Sequence, residues 1–291
     1  MVDFGRLVTA MITPMDASGK VDIDACVSVA KYLESNGSTA ILLAGTTGES
    51  PVLSSEEKRE LFTNVKKSVN VPVMANIGTN STAASISNIK LAEECGVDGL
   101  LAVVPYYNKP NAASQFMHFS TLAKAAALPI IMYNVPSRTG INMSAETTIR
   151  LSNVKNIAGI KEASGNLEQL AEIVKGAADG FVVYTGEDSQ TLPTLAVGGY
   201  GVVSVASHVV GNEMADMIDS YLKGNIAHAK EMHLKLLEID KRLFMTSNPI
   251  PVKAAMNLLG FKAGAPRLPL TLADETVLAA LSEELKNLGK L

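Results

Sequence analysis

Eight short apolar runs divide the first two-thirds of the chain. They begin at Leu7, Ala40, Val71, Gly99, Pro129, Ile157, Phe181 and Gly201, at intervals of 20 to 33 residues. Runs this short and this continuously apolar fit strands buried on both faces, as in a parallel sheet. The segments between them read as helices. Ser54-Ser55-Glu56-Glu57 has the form of a capping box, and Leu61, Val65 and Val69 follow it as one apolar stripe. Ile86, Ile89 and Ala92 repeat the pattern, and Gly37, Gly96 and Gly180 stand where helix C-caps are expected. The shortest connection, Asp188 to Tyr200, has 13 residues, enough for a crossover between parallel strands. Eight consecutive βα units predict an α/β fold, a closed (β/α)8 TIM barrel. The rival is an open doubly wound sheet, but no Gly-rich dinucleotide or Walker sequence follows any run. Residues 1–211 are expected to supply the strands and most helices. Residues 212–291 lack strand signals and are expected to be C-terminal helices that complete and extend the barrel. No flexible linker marks off a separate module.

Composition narrows the function. Hydrophobic residues make up 47% of the chain and charged residues 19%, ample for a core. The formal charge of −4 argues against a nucleic-acid partner. No apolar stretch reaches the roughly 18 residues of a membrane helix and Met1–Pro14 carries no leader pattern, so a soluble, cytoplasmic protein is expected. Cys26 and Cys95 read as small buried residues. The four histidines and the carboxylates form no recognisable ligand motif, so no metal is expected.

Barrel chemistry takes place at the C-terminal ends of the strands. Lys161 closes the apolar run Ile157-Ala158-Gly159-Ile160. Strand alternation puts Ile157, Gly159 and Lys161 on one face and Ile160 and Glu162 on the other. A lysine turned into an apolar barrel loses ammonium hydration, and its pKa falls from about 10.4. The free amine can condense with a ketone or aldehyde to form a Schiff base. A rim lysine with its head in water is the alternative. Tyr133 ends the neighbouring strand, and strands lie about 4.8 Å apart, so a phenol beside the amine could move protons, relayed through hydroxyls such as that of Thr46. The small residues of Gly45-Thr46-Thr47-Gly48-Glu49-Ser50 suit a carboxylate held by main-chain N–H groups. Arg138 could clamp a second carboxylate, although a surface arginine fits that position as well.

Five motifs, GTTGES at 45–50, PYYNKP at 105–110, YNVPSRTG at 133–140, GIKEASG at 159–165 and NPIPVK at 248–253, together resemble the dihydrodipicolinate synthase family of pyruvate-dependent aldolases and lyases. The likeness runs from Val8-Thr9-Ala10 to Arg267-Leu268-Pro269-Leu270. It implies a homotetramer built from two tight dimers and no cofactor beyond a covalent pyruvate imine on Lys161. The partners it implies are pyruvate and L-aspartate 4-semialdehyde, in the diaminopimelate route to lysine. Tyr133, Thr46 and Tyr107 match a proton relay, with Tyr107 reaching into the neighbouring subunit's site. Thr47 matches a residue that holds the pyruvate carboxylate, and Arg138 matches the guanidinium that receives the semialdehyde carboxylate. Gly186 and Val203 match positions lining the Schiff-base pocket, Val203 where isoleucine is frequent. Related lyases of sugar-derived substrates lack this arginine. Some members are inhibited by L-lysine. Ser50, Asn80 and Tyr106 match that site, but Ser55 and Lys58 replace histidines and Ala84 replaces a glutamate. An added cation and a lost carboxylate imply weak or no lysine feedback.

Overall fold

The computed structural model describes residues 3–291. All eight apolar runs are strands: β1 (Leu7–Ala10), β2 (Ala40–Leu43), β3 (Val73–Asn76), β4 (Gly99–Val103), β5 (Ile130–Asn134), β6 (Ile157–Glu162), β7 (Val182–Thr185) and β8 (Gly201–Ser204). They pair in parallel and in sequence order, and β8 closes on β1 with Val8 opposite Val203. The closed barrel leaves no sheet edge, which explains why the runs carry no charge before their C-terminal ends.

The helices between strands are α1 (Ile23–Ser35), α2 (Ser55–Ser68), α3 (Thr82–Glu94), α4 (Ala112–Ala125), α5 (Pro136–Thr139), α6 (Ala145–Ser152), α7 (Leu167–Gly176) and α8 (Thr191–Ala196). After β8 come α9 (Ser207–Leu222), α10 (Ile226–Arg242), α11 (Ile250–Leu258) and α12 (Glu275–Asn287). The box at α2 is complete: the Ser54 hydroxyl accepts from the Glu57 N–H while the Glu57 carboxylate accepts from the Ser54 N–H. Gly37 and Gly96 follow α1 and α3 with left-handed φ of +88° and +76°. Gly180 differs. Helix α7 ends at Gly176, and Gly180 serves the turn that follows, with φ +81°.

Strand alternation sorts the apolar side chains into two layers. Val8, Leu42, Met74, Leu101, Ile131, Tyr184 and Val203 fill the barrel, while Leu7, Ile41, Leu43, Leu100, Met132, Ile160 and Val202 pack outward against helices. Phe4 joins the inner layer below β4: a Cβ on Gly99 would lie 2.3 Å from its ring. The Tyr184 hydroxyl donates to the Gly5 carbonyl at 2.8 Å and ties down the same end. Chemistry is thereby confined to the opposite mouth.

One strand departs from simple alternation. Ile157 faces the helices, not the barrel face of Lys161, and Ala158 takes the inner position. The β5–β6 register slips here, with Ile130 opposite Ile157 but Ile131 opposite Gly159. The extra residue on β6 resets the alternation. From Gly159 onward the expected order holds, and Lys161 stands opposite Tyr133. Gly159 has no space for a side chain, since a Cβ would meet the Val182 carbonyl oxygen at 2.4 Å.

Helix α10 packs on α9, and α12 packs on α10 and α11. A division at 211/212 falls inside α9, just past its irregular residue Val210. No helix among the described residues is long and apolar enough to cross a membrane.

Candidate active site

Lys161 is 6% exposed although it carries an ammonium group in its ordinary state. Its Nζ lies 4.6 Å from the centre of the Tyr133 ring. Burial pulls its pKa down from 10.5 to about 8, against the opposing charges of Asp188 and Glu187 and with the help of Arg138. Burial pushes the Tyr133 phenol up to about 12, opposed by the Arg138 charge and the Thr46 hydroxyl. Desolvation therefore favours a neutral amine beside a phenol that keeps its proton.

Both face a cavity of about 200 Å³ at the C-terminal mouth of the barrel. Thr46 and Thr47 from the β2 loop, Arg138 from α5, and Gly186 and Glu187 beyond β7 share its wall. The loops fold to present these groups for local reasons. Pro136 starts the single turn of α5 and Gly140 ends it with φ +73°, which leaves Arg138 projecting at the rim. Arg138 has no ion-pair partner among the described residues, so its donors are free for a ligand. At Gly186 a Cβ would lie 2.7 Å from Lys161 Cε, so glycine leaves room for the lysine stem. The Thr47 hydroxyl accepts from Asn248 Nδ2 at 2.9 Å. With its oxygen engaged, its single proton is free for an acceptor in the cavity.

The structure thus brings together Lys161, Tyr133, Thr46, Thr47, Arg138 and Gly186. It treats two expected residues differently. Val203 points into the barrel and packs in the inner layer with Tyr133 and Tyr184, whereas the cavity wall on that side is Val205. Tyr107 is 88% exposed with φ +70° and does not line its own chain's cavity. Its neighbour Tyr106 lines an adjoining cavity of about 520 Å³, which shares Thr46, Tyr133, Arg138 and Asn248 with the first. Lys58 and Ser50 also line that larger space.

Several supporting residues were not assigned roles from the sequence. Glu187 borders the lysine cavity, and burial and the charge of Asp188 raise its pKa. Asp188 accepts from the N–H groups of Val205 and Ala206 at 3.1 and 3.0 Å and so shapes the loop after β8. Asn248 and Lys253 lie in the NPIPVK segment, and Glu49 lies in GTTGES. The motifs drew attention to these stretches, but nothing in a linear sequence indicates contact between residues 49 and 253. Among the described residues, no group of three or more histidines, cysteines or acidic residues stands ready for a metal.

The fold and the site define a class: a (β/α)8-barrel enzyme built around a buried lysine amine. Residues 3–288 match the model of the dihydrodipicolinate synthetase family, and the chain belongs to that family. It is 49% identical to a Moorella thermoacetica protein named 4-hydroxy-tetrahydrodipicolinate synthase, over 100% of both chains. Among solved structures, a dihydrodipicolinate synthase from Bacillus anthracis superposes with TM-score 0.96 at 44% identity, covering 98% of this chain and 99% of that one. The enzyme from Cyanidioschyzon merolae with lysine bound superposes with TM-score 0.97 at 45% identity, covering 99% of each.

Proposed function

We propose that this chain is a 4-hydroxy-tetrahydrodipicolinate synthase: it condenses pyruvate with L-aspartate 4-semialdehyde. The observation that carries this reading is the desolvated Lys161 amine against Tyr133, in a cavity rimmed by the unpaired Arg138. The Lys161 amine attacks the ketone carbon of pyruvate, and the carbinolamine loses water to give an imine. Tyr133 supplies the proton that departs with the hydroxyl as water, and the proton later lost from the methyl carbon returns to it through Thr46. The Thr47 hydroxyl and the N–H groups of its loop hold the pyruvate carboxylate. Loss of a methyl proton gives an enamine, whose carbon attacks the aldehyde of the second substrate while Arg138 binds that substrate's carboxylate, and the alkoxide that forms takes its proton from Tyr133. The substrate's own amine then displaces Lys161 from the imine carbon, closing the ring and freeing the enzyme. No metal or separate cofactor enters this sequence.

Exposed Tyr107 completes the relay in the neighbouring subunit of a tight dimer, two of which form a tetramer. The protein works in the cytoplasm, in the route to lysine. Residues 1–211 form the catalytic barrel, and 212–291 its extension. Lysine feedback is weak or absent, because Lys58 brings an ammonium group to the larger cavity and Glu49, the carboxylate there, is already paired.

The test is pyruvate consumption with a panel of aldehydes. Consumption with L-aspartate 4-semialdehyde alone supports the reading, and a preference for sugar-derived aldehydes overturns it. Arg138→Ala should lower turnover with the semialdehyde by at least about a hundred-fold, while pyruvate still forms an imine. Unchanged kinetics in that variant would remove Arg138 from substrate recognition.

A further inference from the structure

The loop that carries Thr46 and Thr47 has two backbone bonds across it, from the Glu49 N–H to the Thr46 carbonyl at 3.1 Å and from the Ser50 N–H to the Gly45 carbonyl at 3.2 Å, and is also tied to distant parts of the chain. Glu49, three residues after Thr46, has left-handed backbone with φ +57°, uncommon for a residue with a side chain. Its carboxylate is 4% exposed and points away from the lysine cavity into the C-terminal extension. There Lys253 of α11, 1% exposed, donates to Glu49 Oε1 at 2.6 Å and to the Ala265 carbonyl at 3.0 Å. The other carboxylate oxygen accepts from the Arg267 N–H at 2.8 Å. A second tie joins the same two regions, from Asn248 Nδ2 to Thr47 Oγ1. Between these ties, the Thr13 hydroxyl donates to the Gly48 carbonyl at 2.7 Å. A buried ion pair is a poor source of net stability, because desolvating two charges costs about what their attraction returns. Its geometric demand is high, since either partner left alone is strongly unfavourable.

We propose that the Glu49–Lys253 pair is a clamp by which the C-terminal extension sets the position of the Thr46–Thr47 loop, and that both are positioning residues for pyruvate. The inference rests on the reaction proposed above. Neither side chain touches the lysine cavity. The pair acts through Thr47, whose hydroxyl must meet a carboxylate within hydrogen-bond distance. It therefore governs the half-reaction of pyruvate and leaves that of the aldehyde, which meets Arg138 on α5, nearly untouched.

Glu49→Asp tests this with a minimal change. Aspartate tolerates left-handed backbone better than glutamate, and it keeps the charge for Lys253. It shortens the arm by about 1.5 Å, so the pair re-forms only if the loop shifts. In ping-pong kinetics, kcat/KM for each substrate reports its own half-reaction. The expected result is a fall of about ten-fold in kcat/KM for pyruvate, less than about two-fold for the semialdehyde, and no drop in Tm. A wild-type value for pyruvate, or equal falls for both substrates, would overturn the clamp. Glu49→Gln combined with Lys253→Met removes the tie without stranding a charge, and the same split is expected. If neither variant folds, the pair is a stability element and the proposal fails. A wild-type enzyme that does not use the semialdehyde refutes the reaction, not the clamp. The dependence of borohydride trapping on pyruvate concentration, compared between wild type and Glu49→Asp, then decides the clamp alone.

Discussion

Two buried lysines in this chain meet opposite electrostatic surroundings. Burial lowers the pKa of both, but Lys253 has the Glu49 carboxylate in direct contact, which opposes that shift. Lys161 has no carboxylate in contact among the described residues, only the more distant charges of Asp188 and Glu187, and its pKa settles at about 8. Below pH 8 the amine is mostly protonated and inert, and it becomes nucleophilic as pH rises through that value. Tyr133, near 12, keeps its proton over the same range. The initial rate of imine formation at low pyruvate should therefore rise through pH 8 and level off. A rate still climbing steeply at pH 10 would mean an unperturbed lysine. The place of Lys161 at the barrel mouth was legible in the sequence because a charge closes an apolar strand. The Glu49 clamp was not, because ion pairing across 204 residues leaves no local trace.

At the scale of elements, the mouth of the barrel is built by pairs of adjacent strands. β5 and β6 present Tyr133 and Lys161 inward at the same level, and the next residues, Asn134 and Glu162, face outward. Glu162 is 2% exposed and accepts from Asn134 Nδ2 at 3.0 Å, Gln169 Nε2 at 3.1 Å and the Ser164 N–H at 2.8 Å. The carboxylate thus joins β5, β6 and α7 behind Lys161 and Tyr133. Glu162→Ala leaves these donors without their acceptor and should cost about 3 kcal/mol, read from the denaturant midpoint. A loss below about 0.5 kcal/mol would deny it that role. Strand positions were legible from apolar runs alone, since strands buried on both faces have no room for polar residues. The face of Ile157 was not, because a bulge is set by pairing with β5, which periodicity does not record.

The whole molecule is a barrel closed at one end by Phe4 and Tyr184 and open at the other, where loops from many strands converge. Tyr107 fits no part of its own chain: it is the most exposed large hydrophobic residue described, 88% accessible on a left-handed backbone. Its proposed place is a neighbour's site. Lys161→Ala and Tyr107→Phe, each inactive or nearly so alone, should recover activity when mixed under conditions that let subunits exchange. A hybrid dimer holds one site with both native residues, about half the wild-type complement. Mixing that restores nothing, with exchange demonstrated, would return Tyr107 to the surface. The overall architecture could be read from regular spacing of eight runs, whereas assembly depends on surfaces that spacing does not describe.

The Lys161 amine is the proposed point where pyruvate becomes covalently bound. Reducing the enzyme with borohydride in the presence of pyruvate, then mapping the modified peptide, tests this directly. One pyruvate-derived adduct is predicted, on Lys161, and none on Lys253. No adduct, or an adduct on any other lysine, would contradict the account.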